Sequence, residues 1–209
     1  MKKIMDAIIE NGLHNSMSYQ DYRDLVKKLS EQNSTTGHVK TEKLANYTIL
    51  NNSRMKRWDK TIVVPKDIEK KIKSFKEQVT WLVIIESWCG DGAHVLPVLN
   101  KLSELNNHID LKVVLRDDNP ELMDAFLTEG TKSIPKLIMI DTKSGNVIHT
   151  YGPRPSEAAA YVNRFKAKYG KLTPEFKEDL QHWYNTNKGL NVMEDVVEAL
   201  CRLEPNFCQ

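Results

Sequence analysis

Cysteine is scarce in this chain: Cys89, Cys201 and Cys208 are the only three among 209 residues. An odd number of thiols cannot all pair within one chain, and a chain this long can bury a core without covalent staples. No disulfide scaffold is therefore needed, and the usage fits a reducing compartment. Long apolar runs are missing too, since no stretch approaches the roughly 18 residues that a membrane-spanning helix requires. The N-terminal MKKIMDAIIENGL starts with lysines, but Asp6 breaks its apolar run and no small-residue cleavage site follows, so it reads poorly as a secretory signal. Together these absences point to the cytoplasm and to no membrane partner. A surplus of either charge is also lacking: 30 Lys and Arg stand against 28 Asp and Glu, a net charge of +2, which indicates no nucleic-acid partner. There is no internal repeat and no low-complexity segment, and nothing in the chain declares an oligomeric state.

What is present is an ordinary globular balance, 40% hydrophobic and 28% charged. One core with appendages is expected at this length. Residues 1–60 read as a helical extension. In it, Ser18 with Asp21 resembles a capping box, and Tyr22, Leu25, Val26 and Leu29 follow at helical spacing. Residues 31–38 (EQNSTTGH) read as a loop, and Leu44, Tyr47, Met55 and Trp58 as a further amphipathic helix that packs on something and shows no chemistry.

Residues 61–169 alternate strands and helices. TIVV before Pro65 predicts a short edge strand, and Ile68, Ile72 and Phe75 predict a helix. VTWLVII (79–85) is a nearly continuous apolar, β-branched run, the pattern of a strand buried on both faces. A helix carrying Val95, Val98, Leu99 and Leu102 follows, then a strand at 111–115 and a short helix begun by Asn119 and Pro120. Strands at 136–140 and 147–151 flank a turn at DTKSGN, and a helix at 156–168 closes the unit. Residues 170–209 read as a second helical extension packed on the core. Thr173 and Pro174 open a helix bearing Phe176, Leu180 and Trp183, and a last helix bears Met193, Val196, Leu200 and Leu203.

The chemistry concentrates at SWCGDG, residues 87–92, where a strand runs into a helix. A helix start stabilises a thiolate through unpaired N–H groups and the helix dipole, and Cys89 is the one cysteine so placed. The negative charge of Asp91 opposes this, so at most a modest lowering of the thiol pKa is expected. Exposure at the strand end makes Cys89 the fastest-reacting of the three cysteines.

The order strand, helix, strand, helix, strand, strand, helix, with WCGDG after the first strand and SIPK before the third, resembles the thioredoxin family. Three local features carry the resemblance. WCG stands where that family has its nucleophile, Pro97 where a proline kinks the helix, and Ser133, Ile134 and Pro135 where a cis-proline faces the thiol, with Gly152 flanking the same groove. The resemblance implies a thioredoxin-like α/β fold, a central mixed sheet flanked by helices, with extra N-terminal and C-terminal helices outside it. It also implies a substrate groove formed by Trp88, Gly90, Asp91, Gly92, Ser133, Ile134 and Pro135 around Cys89. Arg116, in RDDNPE at the same end of the sheet, borders that groove or belongs to a solvated loop with a helix cap. Arg154, in YGPRP, meets a glutathione-like carboxylate or a nearby acidic side chain. Trp88 shields the thiol and contacts substrate, or covers the sheet edge.

Against the family pattern, Gly92 replaces the resolving cysteine, and Val83 stands where many thioredoxins bury an aspartate. Some bacterial thioredoxin-family proteins of unknown substrate are similar in having WCGD without the second cysteine. The implied function is a monothiol thiol-disulfide oxidoreductase acting on protein or low-molecular-weight thiols and disulfides, with Cys89 as nucleophile and an external thiol as resolver. The alternative is a redox-inactive thioredoxin-fold module that binds a protein. No cofactor is expected. No metal is expected either, since His94 does not share a helix face with Cys89. Cys201 reads as a small buried hydrophobe and Cys208 as an unpaired thiol in a frayed tail.

Overall fold

A computed structural model describes residues 2–203, so the reading of Cys208 lies outside the described residues. Three helices come first: α1 (Lys2–His14), α2 (Tyr19–Glu31) and α3 (Glu42–Thr61). The capping box read at Ser18 is present in α2. Ser18 Oγ accepts the Asp21 N–H at 3.1 Å, and Asp21 Oδ2 accepts the Ser18 N–H at 3.3 Å. The expected strand at TIVV does not form, and the chain passes from α3 straight into α4 (Lys66–Ser74). Ile62 and Val64 pack against the core while Val63 is 79% exposed. The segment thus alternates like a strand but has no strand to pair with, and Pro65 lacks an N–H to offer one.

The remaining elements are β1 (Val79–Ile85), α5 (Gly92–Ser103), β2 (Ile109–Leu115), α6 (Pro120–Ala125), β3 (Lys136–Asp141), β4 (Val147–Tyr151), α7 (Ser156–Tyr169), α8 (Pro174–Asn187) and α9 (Leu190–Leu203). They form a mixed sheet in the order β2-β1-β3-β4. β1 pairs in parallel with β2 and antiparallel with β3, which pairs antiparallel with β4. The parallel pair needs the α5 crossover, and the antiparallel pair needs only the turn after Asp141. Every residue of β1 is buried, as its unbroken apolar sequence requires. Helices flank the sheet, so the fold is thioredoxin-like with extra terminal helices.

The outer edge of β2 is covered by the first extension. Met17, between α1 and α2, exchanges two backbone hydrogen bonds with Val113, at 2.8 and 2.9 Å. At the α3 end a knot of buried hydroxyls ties the 35–36 loop to the end of β1. The Ser87 N–H donates to Thr36 Oγ1 at 2.8 Å, Thr36 N–H returns a bond to Ser87 Oγ at 3.0 Å, and Thr48 Oγ1 lies 2.8 Å from the same Ser87 oxygen. Asn51 Nδ2 then donates to Ser87 O at 2.9 Å. These bonds fix α3 beside the turn that carries Cys89.

Candidate functional site

The backbone turns sharply after β1, with Cys89 N–H donating to Glu86 O at 3.0 Å. Cys89 O then accepts the Ala93 N–H at 3.1 Å, and Cys89 Sγ accepts the Gly92 N–H at 3.3 Å. This is how a serine or threonine caps a helix, the side chain taking the N–H three residues on. Across the groove the S–H donates to Ile134 O at 3.2 Å. Cys89 is free of disulfide and 7% exposed. Cys201 packs at the edge of the core and is disulfide-bonded, so it is not a bare buried hydrophobe.

Burial reverses the expected electrostatics of Cys89. Loss of water around the sulfur pushes the thiol up to about 12, and the Asp91 charge adds to the rise. The Gly92 N–H and the Arg154 charge pull the other way without offsetting it. The expectation of an exposed thiol with a slightly lowered pKa is therefore corrected, because desolvation exceeds what the helix start supplies.

Asp91 is itself held. Arg154 Nη2 lies 2.7 Å from its Oδ2, and Tyr184 donates its hydroxyl to Oδ1 at 3.0 Å. Burial still raises its pKa. Arg154 thus meets a nearby acidic side chain, one of its two expected roles, while its buried Nε has no hydrogen-bond partner among the described residues. Arg116 pairs with Asp117 Oδ1 at 2.8 Å, and its guanidinium lies 4.8 Å from the centre of the Trp88 ring.

A cleft of about 810 Å³ opens over Cys89. It brings together Trp88, Gly90, Asp91, Arg116, Ser133, Ile134 and Arg154 of the predicted residues. Gly92 and Pro135 are buried beneath it rather than lining it. The Ile134–Pro135 and Gly152–Pro153 bonds are cis. Gly152 has φ +106°, and a Cβ there would overlap Pro135 O, so the segment flanking the groove admits only glycine.

Residues that sequence reasoning passed over complete the walls. Lys43, Leu44, Tyr47 and Arg54 come from α3, and Lys177, Leu180 and Gln181 from α8. The helix read as lacking chemistry thus supplies one side of the cleft. Its signal was present in the weak periodicity of Leu44 and Tyr47, which turn away from the core. His94, under this wall, accepts Trp58 Nε1–H on Nδ1 at 2.9 Å and meets Gln181 Oε1 through Nε2 at 2.8 Å. Among the described residues no cluster of His, Cys, Asp or Glu is arranged to hold a metal.

The Cys89 sulfur thus takes the first N–H of α5 at the end of the central strand β1 and faces the loop before cis-Pro135. A family model described as thioredoxin matches residues 37–169, more than half of the chain, and the chain belongs to the thioredoxin family. Two solved structures share the fold. One is a Pseudomonas aeruginosa protein of unknown function, 16% identical, with a TM-score of 0.55 over 72% of this chain and 84% of that one. The other is an HIV epitope scaffold, 15% identical, with a TM-score of 0.54 over 88% of this chain and 98% of that one. A search of curated proteins found no match. No described helix is long and apolar enough to cross a membrane.

Proposed function

We propose that this protein is a monothiol thiol-disulfide oxidoreductase of the thioredoxin family, working where external thiols are abundant, as in the cytoplasm. The observation that carries the reading is the seat of Cys89 Sγ, between the Gly92 N–H and Ile134 O at the floor of an open cleft. In the reaction the Cys89 thiolate attacks one sulfur of a disulfide, forming a mixed disulfide and expelling the other half as thiolate. An external thiolate then attacks the substrate sulfur of that mixed disulfide, regenerating the Cys89 thiolate and leaving this substrate half in a mixed disulfide with the external thiol. A second external thiol releases it, so two external thiols become a disulfide as the substrate disulfide takes up two electrons. With Gly92 in place of a second thiol, nothing at position 92 competes with that external attack.

The raised thiol pKa sets the pace. A shift from an ordinary value to about 12 leaves roughly a thousandfold less thiolate at neutral pH. The greater intrinsic nucleophilicity of a high-pKa thiolate recovers part of this, for a net rate about 100-fold below that of free cysteine. The same burial is what favours a silent binding module as the other reading. Incubation with hydroxyethyl disulfide at rising pH, followed by intact mass, separates the two. The expected result is one adduct on Cys89, absent in Cys89→Ser, released by added thiol, and forming about tenfold faster per pH unit up to pH ~10. Asp91→Asn, which removes a charge that raises the thiol pKa, is expected to speed adduct formation several-fold at neutral pH. A folded protein with no Cys89 adduct even at pH ~10 would leave the binding module as the better account.

A further inference from the structure

The charges around the cleft do not balance. Lys43, Arg54, Arg116, Lys132, Arg154 and Lys177 line it, against Asp91 and Glu178. Three of these cations are already matched: Arg154 by Asp91, Arg116 by Asp117, and Lys132 by Asp124, whose carboxylate is 2.7 Å away. Lys43, Arg54 and Lys177 have no carboxylate in ion-pair contact among the described residues.

Arg54 is the informative one, because the two lysines are exposed and Arg54 is half-buried. Its Nη1 donates to Asn51 Oδ1 at 3.0 Å, a neutral partner. The same nitrogen lies 3.8 Å from the point where a side chain on Gly90 would begin, next to the reactive cysteine. A partly buried guanidinium forgoes much of its hydration, and Asp91, the carboxylate whose charge supports it, is in contact with Arg154 instead. Arg154, which also lines the cleft, has a buried Nε with no hydrogen-bond partner among the described residues. Asn51, which holds Arg54, also holds Ser87 O, so the cation is braced against the backbone just before the WCG turn. That arrangement is preorganised for an anion brought by a ligand. The cleft volume of about 810 Å³ also falls within the range of small-molecule sites, ~300–1,000 Å³.

We propose that the site takes a small anionic disulfide or thiol, whose carboxylate or phosphate binds Arg54 while its sulfur meets Cys89. This rests on the thiol-exchange reading above and adds the class of substrate. Lys43 of α3 and Lys177 of α8 supply a diffuse positive field that draws such an anion in.

The test uses three disulfides that differ in their end groups: dithiodipropionate (anionic), hydroxyethyl disulfide (neutral) and cystamine (cationic). Second-order rates of Cys89 adduct formation are measured at one pH, at low and at high salt. The expected order is anion, neutral, cation, with the anion at least tenfold ahead of the cation at low salt and the gap narrowing as salt rises. Arg54→Gln is expected to collapse the ratio of anionic to neutral rates, and Arg54→Lys to restore part of it. Equal rates for the three disulfides, or an unchanged ratio in Arg54→Gln, would overturn the proposal while leaving thiol exchange intact. If no adduct forms with any disulfide, exchange itself fails, and calorimetry of dithiodipropionate with Cys89→Ser decides the anion site alone. Binding that Arg54→Gln weakens several-fold supports it, and no binding overturns it.

Discussion

Ile85 explains why position 92 holds glycine. A Cβ there would lie 2.6 Å from Ile85 Cδ1, 3.0 Å from Cγ1 and 3.4 Å from Cys89 Cβ. The last distance approaches the ~3.5–4.5 Å that disulfides span between Cβ atoms, so the backbone is in register for a CxxC bridge and only the Ile85 side chain stands in the way. Gly92→Cys alone is therefore expected to lose about 1–3 kcal/mol to overpacking and to stay largely reduced under mild oxidant. Adding Ile85→Val removes Cδ1, and the double variant is expected to close a disulfide between Cys89 and the introduced thiol, read by intact mass after alkylation. Equal oxidation of the single variant would show that Ile85 is no obstacle. At this scale the sequence was partly legible. WCG and SIP marked the thiol and its facing loop, because such motifs are local. Arg54 was not, since its value comes from lying beside Gly90, far along the chain, a separation no spacing rule spans.

His94 links three helices. It sits on α5, takes a hydrogen bond from Trp58 of α3, meets Gln181 of α8 and stacks on Tyr184 with ring centres 4.3 Å apart. Burial among these groups lowers its pKa to about 4, so it is neutral in the folded protein. The unfolded chain takes up a proton near pH ~6.5. The stability His94 contributes is therefore complete above that pH and is lost as pH falls toward 4. Between pH ~7 and ~5 the loss is expected to be about 2 kcal/mol, seen as a falling urea midpoint. His94→Leu is expected to be less stable at neutral pH, because Trp58 Nε1 loses its acceptor, and to show a flatter decline over the same range. A parallel decline in both proteins would mean that other groups carry the acid sensitivity. The elements themselves were legible where burial is two-sided or periodic: β1 and β4 match the expected bounds residue for residue, and β3 and α7 fall within a residue of theirs. TIVV was misread because alternation reports which side chains are covered, not whether a neighbouring strand exists.

The molecule has one hydrophobic core drawn from all three segments of the chain. Tyr22, Val26 and Met55 enter it from the first extension, and Phe176, Leu180, Tyr184, Met193, Val196 and Leu200 from the last. At ~1.5–3 kcal/mol for each large apolar side chain buried, their gross contribution is at least as large as the ~5–15 kcal/mol net stability of a typical domain. Residues 61–169 expressed alone are therefore expected not to unfold cooperatively, in contrast to the sharp denaturant transition of the full chain. A sharp transition in the fragment would make the flanking helices true appendages. The apolar stripes of the extensions showed that they bury a face, but not that α3 and α8 wall the cleft, because polar residues facing a cavity look like residues facing solvent. The pairing of Met17 with Val113 uses a segment that leaves the ribosome long before β2 does, and domains built during synthesis consolidate from their N-terminal side. The strand that will border the sheet thus emerges to find its cap already made, and a nascent chain on a crowded polysome has little time to offer that border to a neighbour.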